Sequence, residues 1–106
     1  MQTFKLFEAV RLGDVAAIER LVRNGADVNV NVQGTTPLFS AAGEGHVPSL
    51  KALIAAGANV NKTGRDGLAA LHTAAAQGRV PCIEALIAAG ASLNIADGKG
   101  FTPVYA

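Results

Sequence analysis

Apolar positions in this chain fall into short stripes that come back at a fixed interval. Leu6, Ala9 and Val10 are followed by Val15, Ile18, Leu21 and Val22. Leu38, Ala41 and Ala42 are followed by Val47, Leu50, Leu53 and Ile54, and Leu71, Ala74 and Ala75 by Val80, Ile83, Leu86 and Ile87. In the longer stripes the spacing is i, i+3, i+6, i+7, which collects the side chains on one face of a helix. The shorter stripes span about two helical turns. Each pair of stripes therefore predicts a helix-turn-helix unit with one buried side per helix.

The punctuation repeats in step. Gly34, Gly67 and Gly100 lie 33 residues apart, and Leu38, Leu71 and Val104 keep that spacing. Gly45 with Gly78, Pro48 with Pro81 and Gly57 with Gly90 do the same, while Gly13, Gly25 and Asn29 precede Gly45, Gly57 and Asn61 by 32. In the second unit Thr36-Pro37 opens the first helix, threonine as cap and proline at the first helical position. Gly43-Glu44-Gly45 closes it, Val47-Pro48 opens the second helix, and Gly57 ends that one with the freedom to take a left-handed cap. Units of approximately 1–30, 31–62 and 63–95 are complete, and a partial fourth, 96–106, stops just inside its first helix. A period of this length marks units that bury their apolar faces against their neighbours, so the expected fold is a single all-α domain, a solenoid of helix-turn-helix units joined by extended, β-like turns. Such a fold offers an elongated surface and rarely a closed catalytic pocket.

The motifs in these positions resemble ankyrin repeats. The family pattern of a G-x-T-P-L-H opening, an A-A-x-x-G-H middle and a G-A-D-V-N close is matched by three segments. They are Gly34-Thr35-Thr36-Pro37-Leu38-Phe39, Ala41-Ala42-Gly43-Glu44-Gly45-His46 and Gly25-Ala26-Asp27-Val28-Asn29. Weaker closes follow at Gly57-Ala58-Asn59-Val60-Asn61 and Gly90-Ala91-Ser92-Leu93-Asn94. Phe39 and Tyr105 stand where the pattern has histidine, and Ala69-Ala70 stand where it has threonine and proline before His72. The family's threonine–histidine hydrogen bond is thus in question, and the missing cap in the third unit costs roughly 1 kcal/mol. The first inter-unit turn is shorter, with four residues between Asn29 and Gly34 against five between Asn61 and Gly67, which predicts a different tip.

Lys5, Glu8 and Arg11 alternate with apolar residues in the first unit, as suits a solvated N-terminal cap. Stopping inside a helix is expected to leave the Ile83, Leu86 and Ile87 side partly uncovered. The expectation is that the chain is part of a longer array, or that another molecule, including a second copy, covers that face.

Composition narrows the function. Among 106 residues nine are basic and eight acidic, giving a formal charge of +1 with no basic stripe to neutralise phosphates, so no nucleic acid partner is expected. No apolar run is long enough to span a bilayer, so no membrane partner is expected either. A single cysteine, Cys82, and the lack of a secretory leader point to a cytoplasmic or nuclear protein. His46 and His72 fall at different points of their units and pair with nothing at metal-ligand spacing. His72 reads as an inter-repeat hydrogen-bonder. Cys82 aligns with Ser49 and Ala17, where a small packed side chain is wanted. Gly98-Lys99-Gly100 lacks the spacing of a phosphate loop, the carboxylates form no close pair, and Asn61-Lys62-Thr63 is a glycosylation triplet without a secretory context. No catalytic residue, metal or cofactor is expected.

What remains is binding. The resemblance implies a non-catalytic protein–protein interaction module that meets its partner through a concave face of turn tips and first helices. Mapped onto this sequence, that face comprises Arg11, Gln33, Thr35, Glu44, Arg65, Asp66, Leu68, Gln77, Lys99 and Phe101. Leu68 and Phe101 beside Arg65, Asp66 and Lys99 have the make-up of a hot spot. Val32 reads as a turn contact. The resemblance also makes Asn29, Asn61 and Asn94 candidates for hydroxylation, each with a leucine eight residues earlier. The alternative function is a regulatory or substrate-recruiting segment of a larger enzyme or channel.

Overall fold

A computed structural model describes residues 2–64 and 67–92. Among these it has six helices: α1 (Gln2–Leu12), α2 (Val15–Arg23), α3 (Pro37–Glu44), α4 (Val47–Ala55), α5 (Ala70–Ala76) and α6 (Val80–Ala88). Consecutive helices pack in pairs, and the pairs stack in two layers. In the inner layer α3 lies between α1 and α5; in the outer layer α4 lies between α2 and α6. The body measures 37 × 25 × 19 Å. The partial fourth unit at 96–106 lies outside the described residues, and the expectation of an uncovered face beyond α6 lies there with it.

All six helices close with the same hydrogen-bond pattern. At the end of α2, Ala26 N–H donates to the Leu21 carbonyl (2.9 Å) and Gly25 N–H to that of Val22 (3.0 Å). Ala58 with Leu53 and Ala91 with Leu86 repeat the longer bond after α4 and α6, and Asp14 with Ala9, His46 with Ala41 and Arg79 with Ala74 repeat it after α1, α3 and α5. This closure satisfies carbonyls that a helix end otherwise leaves bare, and it needs one left-handed residue. Glycine supplies it every time, at Gly13, Gly25, Gly45, Gly57, Gly78 and Gly90, with φ between 68° and 105°. The glycine period in the sequence is the period of these closures.

The core runs along the boundary between the layers. Leu6, Val10, Ile18, Leu50, Leu53 and Leu86 are fully buried, and Ala41, Ala42 and Ala74 fill the narrow spaces between inner helices. Fully burying each large aliphatic side chain stabilises by about 1.5–3 kcal/mol. The outer stripe predicted for the third unit is only half realised: Leu86 is buried and Ile83 half-buried, but Val80 and Ile87 are 56 % and 45 % exposed. α6 is the last described helix, and among the described residues it has an outer-layer neighbour, α4, on one side only. The position shared by Ala17, Ser49 and Cys82 is buried in every unit. At Ser49 the hydroxyl donates to the Val10 carbonyl of the preceding unit at 2.8 Å, tying α4 to the end of α1.

Asparagine side chains link the extended segments. Asn29 Oδ1 accepts from Asn59 N–H (2.6 Å), and one unit later Asn61 Oδ1 accepts from Ser92 N–H (2.7 Å). Asn29 Nδ2 also donates to the Gly57 carbonyl at 3.4 Å. Asp27 and Asn59 hold the same segments locally by accepting from the N–H two residues on. The shorter first turn does have a different tip. Val32 and Thr35 exchange two backbone bonds (2.9 and 3.0 Å) across Gln33-Gly34, both with positive φ, as a tight mirror-image hairpin turn requires. In the second turn Gly64 N–H reaches Leu68, three positions intervening, and Gly67 takes the positive φ. The two tips stack closely: a Cβ on Gly64 would run into the Gly34 carbonyl.

The helix caps differ as the sequence suggested. Thr36 accepts from Phe39 N–H at 3.1 Å and caps α3. Ala69 holds almost the same backbone conformation at the start of α5 (φ −96°, ψ 169°, against −101°, 160° for Thr36) but has no side-chain acceptor. Instead His72 Nδ1 accepts from Ala69 N–H at 2.9 Å, supplying one half of a reciprocal cap. Because it accepts here, Nδ1 is the unprotonated nitrogen, and this bond stays within the unit.

Three outcomes follow for stability, each read by urea titration. Thr36→Ala should lose about 1 kcal/mol, and Ala69→Thr should gain up to about that amount, because the backbone is already set for a cap. Gly64→Ala should lose about 1–3 kcal/mol as the stacked tips are forced apart.

Candidate partner-binding groove

One helix carries two stripes. Leu6, Ala9 and Val10 of α1 are buried in the core. Turned away from them, Phe4, Phe7, Glu8 and Arg11 follow the i, i+3, i+4, i+7 pattern and form one wall of a groove. Its upper part, about 480 Å³, is lined by Thr3, Phe4, Phe7, Val32 and Thr35. Its lower part, about 200 Å³, is lined by Phe4, Phe7, Glu8, Arg11, Ser40 and Glu44. The two parts share both phenylalanines, so the groove runs from the first turn tip down between α1 and α3. Phe4 is 71 % exposed and Val32 40 %, while Phe7 is half-buried.

The register explains the exposure of Phe4. It occupies the position of Thr36 and Ala69 in the later units, which are buried at the start of their helices. In those units an extended turn leads into the helix; here Gln2 and Thr3 are already helical, and Phe4 stands out from the first turn of α1. Phe7 takes the place of Phe39 and His72. Glu8 and Arg11 form no ion pair among the described residues. Glu44 Oε1 lies 3.3 Å from His46 Nε2, an exposed contact worth little to stability.

The structure brings together four of the residues mapped from sequence. Arg11, Thr35 and Glu44 line the groove, and Gln33 sits at the adjoining tip, exposed and with φ of 54°. Val32 has both roles: its backbone forms the tip bridge and its side chain lines the groove. Gln77, exposed at the end of α5, and half-buried Leu68 lie further along the stack. Arg65, Asp66, Lys99 and Phe101 lie outside the described residues, as does Asn94. Asn29 and Asn61 carry the inter-unit bonds above. Sequence reasoning missed Thr3, Phe4, Phe7, Glu8 and Ser40 as groove residues. The available signal was the second apolar pair at Phe4 and Phe7, in excess of the stripe the core uses.

The remaining chemistry-bearing groups have structural surroundings. Among the described residues no three histidine, cysteine or acidic side chains converge as a metal site would need, and no helix is long and apolar enough to cross a membrane. Arg79, standing where the second unit has His46, donates through Nε to the Gly43 carbonyl at 3.2 Å. That places a cation at the negative end of α3. Cys82 is fully buried. Burial pushes its thiol above the ordinary range, against a smaller lowering by Arg79. A further recess of about 570 Å³ between α4 and α6 is lined by Val47, Lys51, Ile54, Pro81 and Glu84 with several alanines, and among the described residues has no aromatic side chain.

A family model described as ankyrin repeats, in three copies, matches residues 6–104.

The thiol gives a direct check on the packing. Cys82 should resist a disulfide-exchange reagent at mildly alkaline pH in the folded protein and react at once in denaturant; fast native reaction would contradict its burial. The folded state holds the thiol proton more tightly than the unfolded chain. Its contribution to stability is therefore complete below the ordinary thiol pKa and is lost as pH rises through the raised folded value.

Proposed function

The chain belongs to the ankyrin repeat family, and from that premise we propose that it binds a protein partner along the groove between α1, α3 and the first turn tip. Ankyrin repeats are generally protein–protein interaction modules and are typically non-catalytic. The observation that carries the reading to this place is Phe4, 71 % exposed, beside Phe7 and Val32 in one recess. A large aromatic left in water at a concave site gains most when a partner desolvates it, and aromatic anchors dominate measured interface energies. Arg11, Thr35, Gln33 and Glu44 surround this apolar centre as a polar rim. The surface is preformed, its wall a helix and its upper edge a double-bonded tip, so binding orders little backbone. Leu68 and Gln77 extend the same face along the stack.

Affinity capture from native extract, read by quantitative mass spectrometry, tests the reading. Wild type is compared with Phe4→Ser and with an outer-face control, Lys51→Glu, each first shown to be folded by circular dichroism. A partner held by wild type and the control should be depleted about five- to thirtyfold by Phe4→Ser, as loss of one anchor worth about 1–2 kcal/mol dictates. Equal retention by Phe4→Ser would move the interface off the groove.

A further inference from the structure

We propose that the groove's occupant is an extended peptide segment that presents a bulky apolar side chain and, two positions away, a lysine or arginine. The inference rests on the groove being the binding site and adds the chemistry of what fills it. The groove is divided along its length. Thr3, Phe4, Phe7, Val32 and Thr35 make an apolar end, and Glu8, Arg11, Ser40 and Glu44 a charged one. At the charged end two carboxylates face one guanidinium, a formal balance of −1. Neither Glu8 nor Arg11 is held in an ion pair among the described residues, and Glu44 has only its exposed contact with His46. Such an end attracts one cation and, because of Arg11, repels a run of them.

Distance sets the spacing. Glu8 follows Phe4 by four residues on α1, a rise of about 6 Å. Alternate residues of an extended chain project to the same side about 6.5–7 Å apart. An apolar side chain between Phe4, Phe7 and Val32 therefore carries its second neighbour on that side to Glu8 and Glu44. An extended backbone laid along α1 places one of these side chains against the apolar recess of about 480 Å³ and the other against the charged recess of about 200 Å³ at this spacing.

A display library of random peptides in a glycine–serine background, selected on the folded full chain, tests this. Enriched sequences should share an apolar residue and a basic residue two positions apart. A fluorescein-labelled peptide of that pattern, followed by anisotropy, should lose at least about fivefold in affinity to Glu8→Lys/Glu44→Lys and to Phe4→Ser, and should bind less tightly as salt is raised. Enrichment of acidic or uncharged sequences whose binding Phe4→Ser abolishes would overturn the peptide chemistry and leave the groove standing. Selected peptides indifferent to Phe4→Ser would overturn both. Failure to enrich any peptide would overturn the extended-peptide occupant, while the capture experiment still reports on the groove.

Discussion

The closure at each helix end is the constraint from which the rest of this structure follows. A helix of seven to eleven residues has a large share of its backbone groups without intrahelical partners. Each of these six helices meets that cost with the same long carbonyl bond and one left-handed glycine. Because the closure reverses the chain within a few residues, it lays the second helix of every unit against the first. Because it recurs at a fixed interval, it lets the units stack in register. Short helices of this kind are marginal alone, and the stacking buries the leucines that hold them.

Cohesion between units comes from directional bonds as well as packing. The asparagines at positions 29 and 61 reach one unit forward to backbone N–H groups, and Ser49 reaches one unit back to a carbonyl. The pattern is conserved in geometry more than in chemistry. Where the third unit has cysteine in place of Ser49, Arg79 makes a bond to the neighbouring helix end instead. Where it has alanine in place of Thr36, histidine supplies part of the cap. Local losses are offset by whatever side chain the neighbouring position offers.

The groove arises where the first unit breaks that pattern. In the later units the start of the inner helix is buried and carries a small residue. In the first, helix replaces turn, and a phenylalanine occupies the position and faces solvent. An apolar surface of this kind has a reason to be covered that the polar tips lack. The adjoining hairpin tip, two residues rather than three, brings Val32 and Thr35 to the upper edge. A one-residue difference in turn length and an early helix start together shape one face of an otherwise regular stack.

Periodicity by itself determined the unit, the helix pairs and the all-helical class, because glycines, prolines and apolar stripes act through local backbone geometry and short-range burial. The caps were legible for the same reason: Thr36 and Ala69 differ by an acceptor that can be read from the residue name. The tip difference was legible from a count of residues between Asn29 and Gly34. Tertiary structure alone decided which exposed residues share a surface. Phe4 and Phe7 are adjacent to Val32, Ser40 and Glu44 only once α1, α3 and the first tip are stacked, and no local rule encodes that contact. Burial across the stack was decided there too: Val80 and Ile87 match their counterparts in pattern, yet their exposure depends on what lies beside α6, a property of the neighbours and not of the stripe.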